Sequence, residues 1–423
     1  MHRFEVTPFS AQQEEALDVF SHFLSAPTVR RWRKELKKIA NILGHLPLAI
    51  ALAAGQMIKK NTVLEYLSRL TMADKRLDAL IREDRSVRLS FLLSFEQLAE
   101  PLQNFYVALG SLAPADFNVP AAAAIADVSE QEAASSLNEL TQYSLLTDET
   151  NQRYSRHTLL RDFSREHQQD YRFDQRMVTY FATYAFTNRI ETAVMRLEQP
   201  QIMEAIRLAE DNEWYDNYNR AVLGLFPLFY TSGNAKLAVD YLEKGIARFE
   251  KREPNVDLAR MHTNVGSAYF RLGQMTLAAD NLESGLHLAK QQELDEMVPA
   301  ILINLSSVMA SLGNKTETRH YLEEAHAISD VLDNPILKLQ TALNLAALTY
   351  EDGDWAASER YFVSVLSLAD AQHGVGQEPI QVACNNLAVL KFSQGKNEEA
   401  KEYANKSLAI SKKLEDPNGI SLT

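Results

Sequence analysis

Four asparagines stand nine residues ahead of four glycines: Asn264 before Gly273, Asn304 before Gly313, Asn344 before Gly353 and Asn386 before Gly395. A carboxamide carries donors and an acceptor on one side chain, which is what the backbone of an extended peptide needs from a partner. Recurrence at one offset therefore reads as a row of peptide-holding groups. The same row could instead hydrogen-bond neighbouring helices and fix the pitch of a repeat. Other reactive residue types lack the spacing that chemistry requires. His157 and Asp162 lie five apart with Ser155 and Ser164 nearby, but no G-x-S-x-G elbow presents a nucleophile. His320 and His326 are six apart and do not share a helix face, with no third ligand adjacent. The single cysteine, Cys384, falls inside a helical segment, where a small buried thiol is the ordinary reading.

Phosphate chemistry is also unsupported. No G-x-x-x-x-G-K-S/T occurs. Gly395-Lys396 is followed by Asn397, and Gly313-Asn314-Lys315-Thr316 has the wrong spacing. Both sit where a glycine ends a helix. The chain is expected to carry no catalysis of its own.

The elements that must position the asparagines follow from the same period. Glycines recur at Gly233, Gly273, Gly313, Gly353 and Gly395, spaced 40, 40, 40 and 42 residues. The segments ending on the last four read NVGSAYFRLG, NLSSVMASLG, NLAALTYEDG and NLAVLKFSQG. Each unit predicts two helices. Leu343, Leu345, Ala346, Leu348 and Tyr350 form one apolar face of a first helix, and Tyr361, Val365, Leu368 and Ala369 one face of a second. Glycine at the junction supplies the left-handed residue that closes the first helix. Asp354, Asn234 and Asn314 are placed to cap the helix that follows. After each glycine a small residue and an aromatic or aliphatic partner are expected: Ala238/Tyr241, Ala278/Leu282, Tyr321/Ala325, Ala357/Tyr361 and Ala400/Tyr403. Gly285, inside a second helix, reads as a replaceable helix glycine. The loops Glu253-Pro254-Asn255, Asp333-Asn334-Pro335 and Asp416-Pro417-Asn418 separate units. One hairpin cannot bury both faces, so the units must stack.

Composition narrows the partners. With 423 residues, several domains are expected. The longest apolar stretch, Leu46–Met57, is 12 residues and contains Pro47 and Gly55, short of the about 20 that a membrane span needs. No membrane association is expected, no signal peptide is visible, and the lone cysteine fits a reducing, cytoplasmic setting. Net charge is +4 over residues 1–60, −6 over 61–200 and −11 over 201–423. The acidic second half repels phosphate backbones, so a nucleic-acid partner is not expected there, and a basic protein segment is the expected guest.

The repeat resembles the tetratricopeptide repeat in its long-period variety, as in kinesin light chains, through Asn385-Asn386-Leu387-Ala388-Val389-Leu390 and Gly395-Lys396-Asn397-Glu398-Glu399-Ala400. By that resemblance the first helices line a concave surface, and Asn264, Asn304, Asn344 and Asn386 hold a protein or peptide partner there. The first half resembles the signal-transduction ATPases of the NB-ARC type, the STAND class. Its LGHLPLAIALAA matches their Gly-Leu-Pro-Leu-Ala motif, with His45 inserted between Gly44 and Leu46. VTPFS followed by EEALDVF matches a segment preceding that motif. Val87-Arg88-Leu89-Ser90-Phe91 and Leu98 to Phe105 match the start of their winged helix. Tyr154-Ser155-Arg156-His157-Thr158 is similar to their Met-His-Asp motif, with threonine replacing the aspartate. The resemblance implies that Pro47 packs on the adenine of ADP and that His157 reaches its β-phosphate, in a longer parent that supplies the phosphate-binding domain. In this chain no cofactor is expected.

The expected architecture is thus mostly α. Residues 1–70 form a helical ARC-type subdomain, 71–170 a winged helix, 171–220 a helical bridge, and 221–423 an α–α superhelix of tetratricopeptide repeats. Within the winged helix, helices are expected near 84–99, 102–110, 119–126 and 129–143, followed by a hairpin of Ser144–Asp148 and Arg153–Arg156. The segment Ser129 to Tyr143 holds Glu130, Glu132 and Glu139 and no Lys or Arg, which argues against reading DNA. The function implied is a fragment of a nucleotide-switched regulator whose repeats bind a protein. A stand-alone repeat adaptor and a STAND-type transcriptional regulator without its DNA-binding domain are the alternatives.

Overall fold

The computed structural model describes residues 9, 15–59, 62–76, 82–249, 255–371 and 377–414. Apart from Phe9, the expected strand end at Phe4–Ser10 lies outside the described residues, as do the Ser10 cap, Glu14, and the loop residues 253–254 and 416–418. The chain is mostly α-helical and divides into two compact units, residues 1–225 and 226–423.

The first unit begins with α1 (Glu15–Phe23), α2 (Ala26–Arg31), α3 (Arg33–Ile42), α4 (Pro47–Lys59), α5 (Val63–Arg76) and α6 (Arg82–Phe95). Their apolar faces close one core around Phe20, Leu36, Ile39, Leu43 and Tyr66, all fully buried. The basic residues Arg30, Arg31, Arg33, Lys34, Lys37 and Lys38 occupy the exposed side of α2 and α3. Between α3 and α4, Gly44 (φ 60°) and His45 (φ 57°) are both left-handed. His45 N–H reaches the Ala40 carbonyl at 2.9 Å, which closes the end of α3.

Next come α7 (Glu100–Ala108), β1 (Phe117–Asn118), α8 (Val119–Ala126), α9 (Glu130–Gln142), β2 (Thr147–Asp148), β3 (Arg153–Ser155) and α10 (Thr158–Glu166). The expected hairpin is present but shorter, and it belongs to a three-stranded antiparallel sheet of order β1-β3-β2. Phe117 pairs with Tyr154, and Thr147 with Ser155. Strand β1 was not anticipated, since two residues between a proline turn and a helix leave no period to read. Ser129 and Glu132 build a capping box at the start of α9.

Helices α11 (Arg172–Thr187), α12 (Thr192–Asp211) and α13 (Tyr215–Thr231) follow, with the division between units falling inside α13. Polar side chains on one face of α12 lock it to the sheet. Glu198 accepts from Arg153 at 2.5 Å, and Arg153 also meets Asp116 at 2.6 Å. Gln201 accepts from Ala113 N–H at 2.9 Å, and Glu204 meets Arg161 at 2.6 Å. Glu198 and Gln201 are buried, so removing one partner would strand a desolvated group on the other.

The second unit pairs helices in sequence: α14 (Ala235–Ala247), α15 (Val256–Arg271), α16 (Met275–Gln291), α17 (Val298–Ser311), α18 (Lys315–Val331), α19 (Pro335–Glu351), α20 (Trp355–Ala371), α21 (Gln377–Ser393) and α22 (Asn397–Leu414). The junction glycines all lie at φ between 74° and 78°. Asn314 and Asp354 cap as expected, accepting from Glu317 and Ala357 N–H at 3.3 and 3.0 Å. Asn234 makes no cap; its Nδ2 donates to Ser232 Oγ at 3.0 Å instead.

The small-residue position also needs correction in two units. It lies five residues after each glycine, at Ala238, Ala278, Thr318, Ser358 and Ala400, all buried. The pairings Tyr321/Ala325 and Ala357/Tyr361 were therefore out of register. Thr318 and Ser358 read as polar in sequence, yet each buries its hydroxyl by donating to a backbone carbonyl, of Asn314 and of Ala346, both at 2.8 Å. Gly285 is not a replaceable helix glycine either. A Cβ there would stand 2.9 Å from Thr263 Oγ1 and 3.2 Å from Thr263 N, because α16 packs directly on α15.

Candidate functional site

Stacking places the first helices of successive hairpins, α15, α17, α19 and α21, side by side. Two hydrogen bonds fix the adjacency: Asn304 Nδ2 on α17 donates to Ser267 Oγ on α15 at 3.2 Å, and Tyr350 on α19 meets Ser393 on α21 at 3.3 Å. Residues one, two or three periods apart therefore form rows across this wall.

Asn304 and Asn344 come together in a cleft of about 370 Å³ between α17 and α19, completed by Ala300, Ile303, Gln340 and Leu343. All six lining residues are uncharged. Asn344 has no hydrogen-bond partner among the described residues and is half-buried, so its amide faces the cleft with its hydrogen-bonding capacity unspent. Asn304 has already committed one donor to the neighbouring helix, which is the pitch-fixing role. Asn264 and Asn386 lie in the same row but outside this cleft, and Asn386 Nδ2 donates to its own helix at Val382 O, 2.9 Å. Gln340 and Ala300, one turn before the asparagines, belong to the lining although sequence reading did not select them. Their signal was the same 40-residue offset, visible once the asparagine row is known to line a cleft.

The first unit carries two larger clefts. One, of about 690 Å³, runs along a single face of α11 and includes Arg176, Tyr180 and Tyr184, with Ala124 of α8. Burial, reinforced by Glu198, pushes the Tyr180 phenol up to about 12. The other, of about 470 Å³, lies where α7, the end of α8 and α11 meet, and includes His167 and Arg172. Their cations are already engaged: Arg176 meets Asp127 at 2.5 Å and Arg172 meets Asp170 at 3.2 Å. Size alone favours these clefts; what sets the smaller cleft apart is that two asparagines of the repeat row, Asn304 and Asn344, meet in it.

Pro47 opens α4 and His157 is the N-cap of α10. The two line none of these three clefts. The Nδ1 of His157 accepts from Leu159 N–H at 3.3 Å, so its proton resides on Nε2. Burial holds its pKa below the usual imidazole value, so at neutral pH it is an uncharged donor. That chemistry suits one hydrogen bond to a phosphate oxygen and no charge neutralisation. The exposed side of α9 presents Glu130, Glu132 and Glu139, and His326 is occupied with Thr341 at 2.9 Å.

Comparison with known proteins agrees with the repeat architecture. The tetratricopeptide-repeat family profile matches residues 337–413, which covers most of α19 through α22. The regulatory protein AfsR of Streptomyces coelicolor and that of Streptomyces griseus are each 31% identical to this chain over 154 residues. That stretch is 36% of this chain and only 16% of either relative. Among solved structures, a signal transduction ATPase with numerous domains carrying a tetratricopeptide repeat sensor, from Pyrococcus horikoshii, superposes with a TM-score of 0.52 at 15% identity. The match covers 98% of this chain and 61% of that one, and it shows a shared fold. Among the described residues, no helix is long and apolar enough to cross a membrane.

Proposed function

We propose that this chain is the sensing part of a regulatory protein, and that its repeats hold an extended protein or peptide segment against α17 and α19. The observation that carries the reading is the uncharged cleft with the unspent amide of Asn344 beside Asn304. An extended backbone presents alternating N–H and C=O groups, and a carboxamide answers both without a charge to desolvate. The Streptomyces relatives, named as regulatory proteins, support placing the chain in signalling. The Pyrococcus structure, titled as having a repeat sensor, supports assigning sensing to the repeats.

On this reading the first unit is the ARC-like and winged-helix part of a nucleotide-responsive switch. The helices α7 to α10 with the three-stranded sheet support it. Nucleotide contact through Pro47 and His157 belongs to the same proposal and needs phosphate-binding groups that neither residue provides.

The test is the double variant Asn304→Ala, Asn344→Ala. Loss of the paired amides should weaken a bound segment by about 1–3 kcal/mol, read by calorimetry, with the melting temperature nearly unchanged. Equal affinity, or collapse of the fold, would transfer the asparagines to the pitch-fixing role.

A further inference from the structure

The cleft of about 690 Å³ along α11 has no part in the reading above. Small organic ligands typically occupy sites of about 300–1,000 Å³. Two rows of side chains face this cleft, each at four-residue spacing. One row is Arg172, Arg176, Tyr180 and Tyr184, and the other is Thr179, Thr183 and Thr187. Such spacing keeps a row on one side of a helix over a few turns. The tyrosine rings stack on each other, with centroids 6.1 Å apart and planes at 27°. Both tyrosines are half-buried, so together they offer the cleft a continuous aromatic surface. The polar groups beside that surface are uncommitted. Among the described residues, the phenol oxygens of Tyr180 and Tyr184 and the hydroxyls of Thr183 and Thr187 have no hydrogen-bond partner. Thr179 differs, since its Oγ1 accepts from Asn217 Nδ2 at 3.4 Å. Burial raises the pKa of both phenols, so each stays protonated at neutral pH and is able to donate.

Charge gives the cleft a direction. Helix α11 begins at Arg172, so the positive end of its dipole coincides with the two guanidinium groups. Each arginine meets one carboxylate through Nη2: Arg172 meets Asp170 at 3.2 Å, and Arg176 meets Asp127 at 2.5 Å. Those carboxylates are 51% and 71% exposed, and ion pairs on the surface are worth little. Arg172 also lies over the Phe173 ring, 5.3 Å from its centroid, an arrangement that uses no N–H donor. A guanidinium carries five donors in a fixed fork, so each keeps several for an incoming anion. The tyrosine end is biased the other way. Glu198 lies close enough to both phenols to raise their pKa further, and its Oε2 is buried without a hydrogen-bond partner. An anion is therefore drawn to the start of α11 and turned away from the tyrosines.

We propose that this cleft binds a small planar aromatic compound bearing one anionic group, with its rings on Tyr180 and Tyr184 and its anion at Arg172 and Arg176. The phenol and threonine hydroxyls answer oxygen or nitrogen atoms on the ring edge. A helix rises about 1.5 Å per residue, so Arg176 and Tyr184 stand roughly 12 Å apart, which suits a compound of roughly two or three rings. The site shares no residue with the amide cleft of the repeats and gives the first unit a small-molecule input of its own.

A matched pair of fluorogenic probes tests this. The probes 8-anilinonaphthalene-1-sulfonate and N-phenyl-1-naphthylamine share one ring system, and only the first bears an anion. Each is titrated with the full chain and followed by its emission, with the reverse titration giving the stoichiometry. The expected result is one saturable site that takes the sulfonate more tightly than the neutral amine. Thr183→Trp fills the cleft from an exposed position and should abolish binding of both probes. Tyr184→Ala should weaken both at least tenfold. Arg172→Gln plus Arg176→Gln should weaken the sulfonate at least tenfold and leave the neutral amine within about twofold, as expected when the charge term alone is removed. A neutral probe that binds as tightly as the sulfonate, or an arginine pair without effect, would overturn the anionic assignment. Absence of saturable binding, or binding indifferent to Thr183→Trp, would overturn the site itself. Circular dichroism of each variant separates lost binding from lost fold; if Tyr184→Ala unfolds, Thr183→Trp decides the outcome.

Discussion

Replacing Gly285 by alanine is expected to destabilise the second unit, although sequence reading places this glycine in the middle of a helix. In an exposed helix interior the change would be favourable by about 1 kcal/mol, since alanine loses less backbone entropy than glycine. Here the added methyl would stand 2.9 Å from Thr263 Oγ1, 3.2 Å from Thr263 N and 3.3 Å from Ala259 O. Two of those three atoms belong to backbone, and Thr263 Oγ1 is held by its own bond to Ala259 O at 2.8 Å. None of them is the far end of a flexible side chain, so α16 must move away from α15. Overpacking of this kind costs about 1–3 kcal/mol. The propensity gain offsets part of it, which leaves a net loss of about 1 kcal/mol and a melting temperature lower by about 2–4 °C for a unit of this size. Thermal melts followed by circular dichroism measure the total. Hydrogen exchange on α15 and α16 locates the loss, which matters because a chain of two units need not melt in one step. A variant as stable as the wild type, or more so, would refute the close approach of these helices.

Three further outcomes follow from the same geometry. Gly313→Val should cost more than about 1 kcal/mol, because its φ of 76° is a conformation that a β-branched residue resists, even though no neighbouring atom lies within 4 Å; a neutral melt would contradict the junction conformation. His262 has its pKa held down by burial while it hydrogen-bonds Asn281 at 3.1 Å. Its stabilisation is therefore full above the unfolded imidazole value of about 6.5 and is lost as pH falls toward the folded value. Melting temperature should drop between pH 7 and pH 5 more steeply in the wild type than in His262→Gln. Finally, ADP should bind this chain no more tightly than the millimolar range, since Pro47 and His157 supply at most two contacts; micromolar binding by calorimetry would show a cradle among other residues.

The amino-acid sequence by itself determined the repeat, its period and the helix ends. These depend on short-range physics: apolar residues at helical spacing, a glycine at the one left-handed position, and Asn or Asp where a helix must be capped. Asn314 and Asp354 cap for that reason, and Gly313 turns for that reason. Which side chains meet was decided by tertiary packing. Asn304 and Asn344 share a cleft, while Asn386, at the equivalent offset, turns back onto its own helix. Equal offset fixes the row a residue occupies but not the spacing between helices or the partner its amide finds. Strand β1 likewise exists only because Phe117 and Asn118 meet Tyr154 and Arg153 across the sheet.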